Sequence, residues 1–254
     1  MISEQGFFSP EVVESTRQIR QAYGEVFEVA EQLSQLLIRF LREAELDRVS
    51  PKNMAMNAIA AKSLELFQCS IILLERGCIP AAKILCRAMI ETVYKLSAIQ
   101  LSPDAIDLYH GQVSHTRLQK LKSVQKYKQK YKNSGIAPGI EAEIERLSKE
   151  QLPRTEPYQW ARLAQMEDFH NLYYQGMSDD VHNNIESLNH YFDETSTHLV
   201  NFGPSDKDLI LVATACQRTM LNAIEKYGLF LNASATEELS AVSLRIDALE
   251  VKPA

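Results

Sequence analysis

Arg87 and Glu91 lie one helical turn apart in an otherwise almost wholly apolar stretch, CIPAAKILCRAMIETVYKLSAI, from Cys78 to Ile99. A guanidinium steadied by a carboxylate is suited to charge on a phosphoryl oxygen. The charged residues here are Lys83, Arg87, Glu91 and Lys95, every fourth position. They form one narrow stripe along a helix that is apolar on its other sides. Such a stripe either meets water at a seam or lines a cavity. Alternating charges at i, i+4 are also what a solvated helix face carries, each pair contributing roughly 0.2–0.5 kcal/mol.

A second ladder, Tyr174, Ser178 and His182, falls in YYQGMSDDVHN. If that stretch is helical, a phenol, a hydroxyl and an imidazole share one face. Gly176 and the Ser-Asp-Asp triplet are equally at home at a helix end.

From Leu108 to Ile140 there is no acidic residue, and the segment holds Arg117, Lys120, Lys122, Lys126, Lys128, Lys130 and Lys132. The chain as a whole has a net charge of −6, so its cations are segregated. The tract KYKQKYK interleaves lysines with Tyr127 and Tyr131, a composition suited to phosphates and stacked bases. This makes Lys120, Lys126, Lys128, Lys130 and Lys132 the candidate nucleic-acid contacts. The competing reading pairs them with the acidic helix at 141–150 and packs both tyrosines on the core.

Acid-x-x-His occurs at Asp107/His110, Glu167/His170 and Asp179/His182. Carboxylate-bridged metal bundles use paired Glu-x-x-His with further glutamates, and only Glu167/His170 carries the right acid. No metal or other cofactor is expected. His110, His115, His190 and His198 read as ordinary polar-face residues, and Trp160 as core.

The elements that must position these groups are all helices. Nine glycines in 254 residues and no alternating pattern argue against strands and phosphate loops. Ser9-Pro10, Ser50-Pro51 and Ser102-Pro103 each predict a capping serine before a proline at the first helical position. Ser205 with Asp208 and Ser234 with Glu237 predict capping boxes. Gly77 and Pro80 predict a tight antiparallel hairpin. Further helices are expected over about 10–45, 103–132, 206–227 and 235–250. The predicted fold is a single all-α domain over 1–250, a multi-helix bundle built around the long hairpin. An irregular connection at 133–158 contains a short acidic helix, and 251–254 form a tail. Whether 160–192 is one continuous helix stays open.

Four cysteines, Cys69, Cys78, Cys86 and Cys216, without C-x-x-C spacing read as core residues in a reducing compartment. The N-terminus lacks a basic start and an apolar signal core, and no segment is expected to reach the span of a bilayer. A cytoplasmic protein of bacterial style, with no membrane partner, is the expectation.

The hairpin motif LLERG…AAKILCRAMIETVY, with YYQGMSDDVHNN downstream, resembles an uncharacterised bacterial family of helical proteins. Its signature is R-x-x-x-E joined to S-x-x-x-H, and its bundle is similar to the HEPN superfamily. The resemblance covers about residues 50 to 200. It implies that Arg87, Glu91, Ser178 and His182 are the polar cluster, with Tyr94 and Tyr174 nearby. HEPN ribonucleases carry an arginine followed four to six residues later by a histidine. None of the six histidines here has that spacing, Arg162 to His170 being too long.

A composite site across helices would have His182 as general acid or base. Arg87 would stabilise phosphoryl charge and Glu91 would hold its fork. The resulting expectation is a HEPN-like protein handling RNA or a nucleotide, an effector in a bacterial defence or stress system. Any enzyme activity would be metal-independent ribonuclease or phosphoryl-transfer chemistry. The alternative is a non-enzymatic interaction module that homodimerises through the apolar seams of its first or last helix.

Overall fold

The single long helix expected at the start of the chain is two helices, α1 (Val12–Ala22) and α2 (Gly24–Glu43). They are separated at Tyr23, whose φ of −116° and ψ of 32° leave helical backbone. The structure is a computed structural model that describes residues 6–44, 50–131, 139–150, 152–178, 188, 191 and 203–251, the side chains of 128, 129 and 131 excepted. After α2 come α3 (Pro51–Glu75), α4 (Ile79–Leu101), α5 (Ala105–Tyr131), α6 (Ile140–Ser148) and α7 (Pro157–Leu163). A short α8 (Glu167–Phe169) runs into a π-helical turn, His170–Tyr174. The described chain ends with α9 (Leu209–Leu231) and α10 (Thr236–Glu250). Among the described residues there is no strand, and the fold is all-α.

The turn between α3 and α4 forms as its residues dictate. Gly77 takes φ +71°, a left-handed conformation costly for residues with a Cβ. Cys78 N–H then donates to Leu73 O at 2.8 Å, satisfying an orphan carbonyl at the end of α3. Ser50 Oγ caps the other end of α3, accepting from Asn53 N–H at 3.3 Å. The two helices pack along each other, and α4 also packs against α5, α7 and α9. That central position explains a helix apolar on nearly every side. Met89, Ile90, Val93 and Tyr94 are fully buried. Each such side chain contributes about 1.5–3 kcal/mol on leaving water.

The other expected caps do not form as expected. Ser205 Oγ accepts from Lys207 N–H at 3.1 Å, and α9 begins after Asp208, at φ +66°. Ser234 Oγ lies 3.2 Å from Thr236 Oγ1, and α10 begins after Ala235. Ser102 terminates α4 and does not open α5, and Ser9 Oγ accepts from Glu11 N–H ahead of α1. Ser9, Ser205 and Ser234 each find a nearer local partner than the third amide of the helix.

Cys86 and Cys216 are buried and Cys78 is half-buried, but Cys69 is exposed, against the expectation of a core position. α3 is long and apolar enough by length and composition to cross a bilayer, which corrects the expectation that no segment is. In the fold it buries Met56, Ile59, Ala60, Phe67 and Leu74, the helical spacing of a core element. The apolar seams of α2 and α10, read as candidate dimer faces, are spent inside the molecule. Leu33, Leu37, Val242 and Ile246 are all buried in the core.

Candidate functional site

The α4 stripe is met by three parts of the fold. Lys83 Nζ pairs with Asp208 Oδ2 at 3.1 Å, at the start of α9. Arg87 and Glu91 face the π-helical turn, and Lys95 faces a groove along α5. The stripe is therefore not a solvated ladder. The Arg87 side chain keeps only 16% of its surface exposed and that of Glu91 32%.

The two form an ion pair too long for a direct hydrogen bond. Arg87 Nη2 and Glu91 Oε1 are 3.6 Å apart, and the hydroxyl of Tyr174 links them. Arg87 Nη2 donates to Tyr174 Oη at 2.8 Å, and Tyr174 Oη donates to Glu91 Oε1 at 2.7 Å. The guanidinium carbon also lies 4.9 Å from the centre of the Tyr174 ring, within cation–π range. Arg87 Nε is buried without an acceptor.

An imidazole joins this cluster, supplied by His170 at the start of the π turn. Its ring stacks on Tyr174 at 4.5 Å and 21°, and Tyr158 of α7 meets it edge-on at 5.4 Å. Tyr94 Oη lies 3.4 Å from His170 Nδ1. The π geometry is carried by Gln175 N–H donating to His170 O at 3.2 Å, a five-residue step. Such turns are rare and gather at functional sites. Segment 160–178 is not one helix, because Gln165 takes φ +56° and breaks it between α7 and α8.

Burial sets the protonation of the group. It lowers the pKa of His170 below the usual 6.5, with Glu91 partly opposing, so the ring is neutral at pH 7. Tyr174 is pushed up to about 12, first by burial and then by its hydrogen bond to Glu91. Tyr94 is raised as well, by burial and then by Tyr174 and Glu91. Both phenols are thus held as donors beside a neutral base and a fixed cation.

Of the expected site residues, Arg87, Glu91, Tyr94 and Tyr174 converge. Ser178 is half-buried, and its Oγ donates to Tyr174 O at 2.9 Å, supporting the turn from below. His182 lies outside the described residues, as do His190, His198 and Lys132. His170 is the residue that sequence reasoning placed elsewhere, in the pair Glu167/His170. Its signal is in the chain, since the ladder Tyr174, Ser178, His182 extends one step upstream to it. Among the described residues no cluster of three metal-type ligands occurs.

On α5, Tyr127 is 55% exposed, against the expectation that it packs on the core. The acidic helix α6 does pair with α5, through Arg117 Nη2 and Glu143 Oε1 at 3.2 Å. Glu143 and Glu150 are also held by Arg146, and Glu145 by Lys149, within α6 and the two residues after it. Among the described residues Lys120, Lys122 and Lys126 have no ion-pair partner.

Trp160 anchors α7 beneath the site. Its Nε1 donates to Gln112 Oε1 of α5 at 2.8 Å, and Gln112 Nε2 donates to Thr155 O at 2.9 Å. The Arg87 cluster thus rests on α4, α7 and the π turn together.

No curated protein and no solved structure matches the chain. The model of one family matches residues 53–199, more than half of the chain and a span that contains Arg87, Glu91, His170 and Tyr174. The chain belongs to DUF5677, a family of unknown function.

Proposed function

We propose that this chain is a HEPN-like, phosphate-handling helical protein that acts on RNA without a metal, as an effector in a bacterial defence or stress system. The observation that carries the reading is the linked trio of Arg87, Tyr174 and Glu91, withdrawn from water, with a neutral imidazole stacked on its central phenol. Arg87 supplies a fixed cation for the non-bridging oxygens of a phosphodiester. His170 takes the role expected of His182 and removes the proton from a 2′-hydroxyl. The 2′-oxygen attacks phosphorus, a cyclic phosphate forms, and the 5′-oxygen leaves with a proton returned by the imidazolium. Lys120, Lys122 and Lys126 of α5 and the exposed Tyr127 supply backbone attraction and a stacking surface.

A second reading is favoured by the mutual satisfaction of Arg87, Tyr174 and Glu91. There the cluster only pins the π turn to the hairpin of a non-enzymatic interaction module.

Cleavage of a labelled single-stranded RNA in the presence of a chelator separates the two. The enzyme reading expects cyclic-phosphate ends, with rates reduced at least ~100-fold in Arg87→Ala and His170→Ala that remain folded. Absence of both cleavage and RNA binding at low salt, or cleavage unchanged in Arg87→Ala, overturns it.

A further inference from the structure

A groove of about 550 Å³ runs between α4 and α5, away from the Arg87 cluster. Lys95 stands on its α4 wall. Among the described residues it is the member of the stripe with no carboxylate or hydroxyl partner. Burial holds its pKa below the usual lysine value, and Lys62 adds to the effect while Glu91 opposes it. A cation partly withdrawn from water with no ion pair is unfavourable, so an anion is the natural complement.

The opposite wall supplies what such an anion would carry with it. Arg117 and Lys120 of α5 line the groove and Thr116 adds a hydroxyl, with no acidic residue among the lining. Arg117 already pairs with Glu143, which leaves Lys95 and Lys120 as the lining cations with no ion pair among the described residues. Much of the remaining wall is aliphatic, including Val113, Leu121 and Val124, with Tyr109 at one side. Aliphatic walls favour an apolar body over the stacked bases of a nucleic-acid strand. The volume falls in the range of small-molecule sites.

We propose that the α4–α5 groove binds a small organic anion, a carboxylate or phosphate monoester on an apolar body, with Lys95 as its anchoring cation. The site uses neither Arg87 nor His170, and it does not rest on the phosphodiester reading.

The test is a fluorescence titration of the full chain with 1-anilinonaphthalene-8-sulfonate, an apolar anion, and with uncharged N-phenyl-1-naphthylamine. The anionic dye is expected to bind one saturable site, about tenfold or more tighter than the uncharged dye. Lys95→Met is expected to weaken it about tenfold, and Lys122→Met, outside the groove, by less than about twofold. Thermal unfolding establishes that Lys95→Met is folded. Indeed its unfolding midpoint is expected to rise, because a half-buried charge with no ion pair is gone. Equal binding of the two dyes, absence of a saturable site, or unchanged affinity in Lys95→Met overturns the proposal. So does displacement of the dye by an RNA octamer but not by a nucleoside monophosphate, which would make the groove a strand track.

Discussion

His170 lies nearly parallel on Tyr174, with ring centres 4.5 Å apart, so the imidazole packs directly on the bridging phenol of the cluster. The stack is a product of the π turn, which brings the two rings over each other while the Tyr174 hydroxyl reaches α4. Removing the hydroxyl without the ring isolates its contribution. Tyr174→Phe leaves Arg87 and Glu91 3.6 Å apart with their hydrogen-bonding bridge gone. Loss of roughly 1–3 kcal/mol is expected by chemical denaturation, because partly buried polar groups lose their partner. A loss below about 0.5 kcal/mol would mean that the bridge is incidental.

The histidine makes stability depend on acid. Its folded pKa is below the unfolded value of about 6.5, so the unfolded chain binds the proton more readily. Its contribution is therefore fully present above about pH 6.5 and lost as pH falls through the lower folded value. Unfolding midpoints from pH 7.5 down to 5 are expected to fall more steeply in the wild type than in His170→Phe. A titration of the ring by NMR with a midpoint at or above about 6.5 would contradict this.

Gly77 offers a sharper steric test. An added Cβ there would sit 2.6 Å from Ser205 N and 2.9 Å from Ser205 O, both backbone atoms that cannot swing away. The residue also takes φ +71°. Gly77→Ala is expected to destabilise by more than about 1 kcal/mol, through strain and contact together. Gly139 provides the control, since it also has positive φ, at +98°, but nothing within 4 Å of the added atom. Its alanine variant is expected to lose clearly less.

RNA binding, if it uses α5, must be electrostatic and graded. Replacing Lys120 and Lys126 together with alanine is expected to lower the slope of log affinity against log salt by about 1.4, from roughly 0.7 per phosphate contact on single strands. An unchanged slope would remove these two lysines from the interface.

The legible parts of the fold were those decided by local chemistry. The Gly77 turn, the Ser50 cap and the stripe on α4 follow from residue type and spacing alone. The chain's cap-like serines at 9, 205 and 234 misled because a serine bonds to whatever amide or hydroxyl comes nearest, and tertiary packing chose the start of α9 and α10. In the site, Arg87, Glu91 and Tyr174 were legible from their four-residue steps, and Tyr94 came only with the family resemblance. His170 was harder to place because Gln165 breaks the helix upstream and the π turn resets the angular phase, neither of which a uniform 3.6-residue period contains.

Tyr174 and Asp208 reach neighbouring turns of α4, one bonding to Arg87 and the other to Lys83. The π turn and the start of α9 therefore lean on one strip of α4, so a change that shifts this strip disturbs both at once.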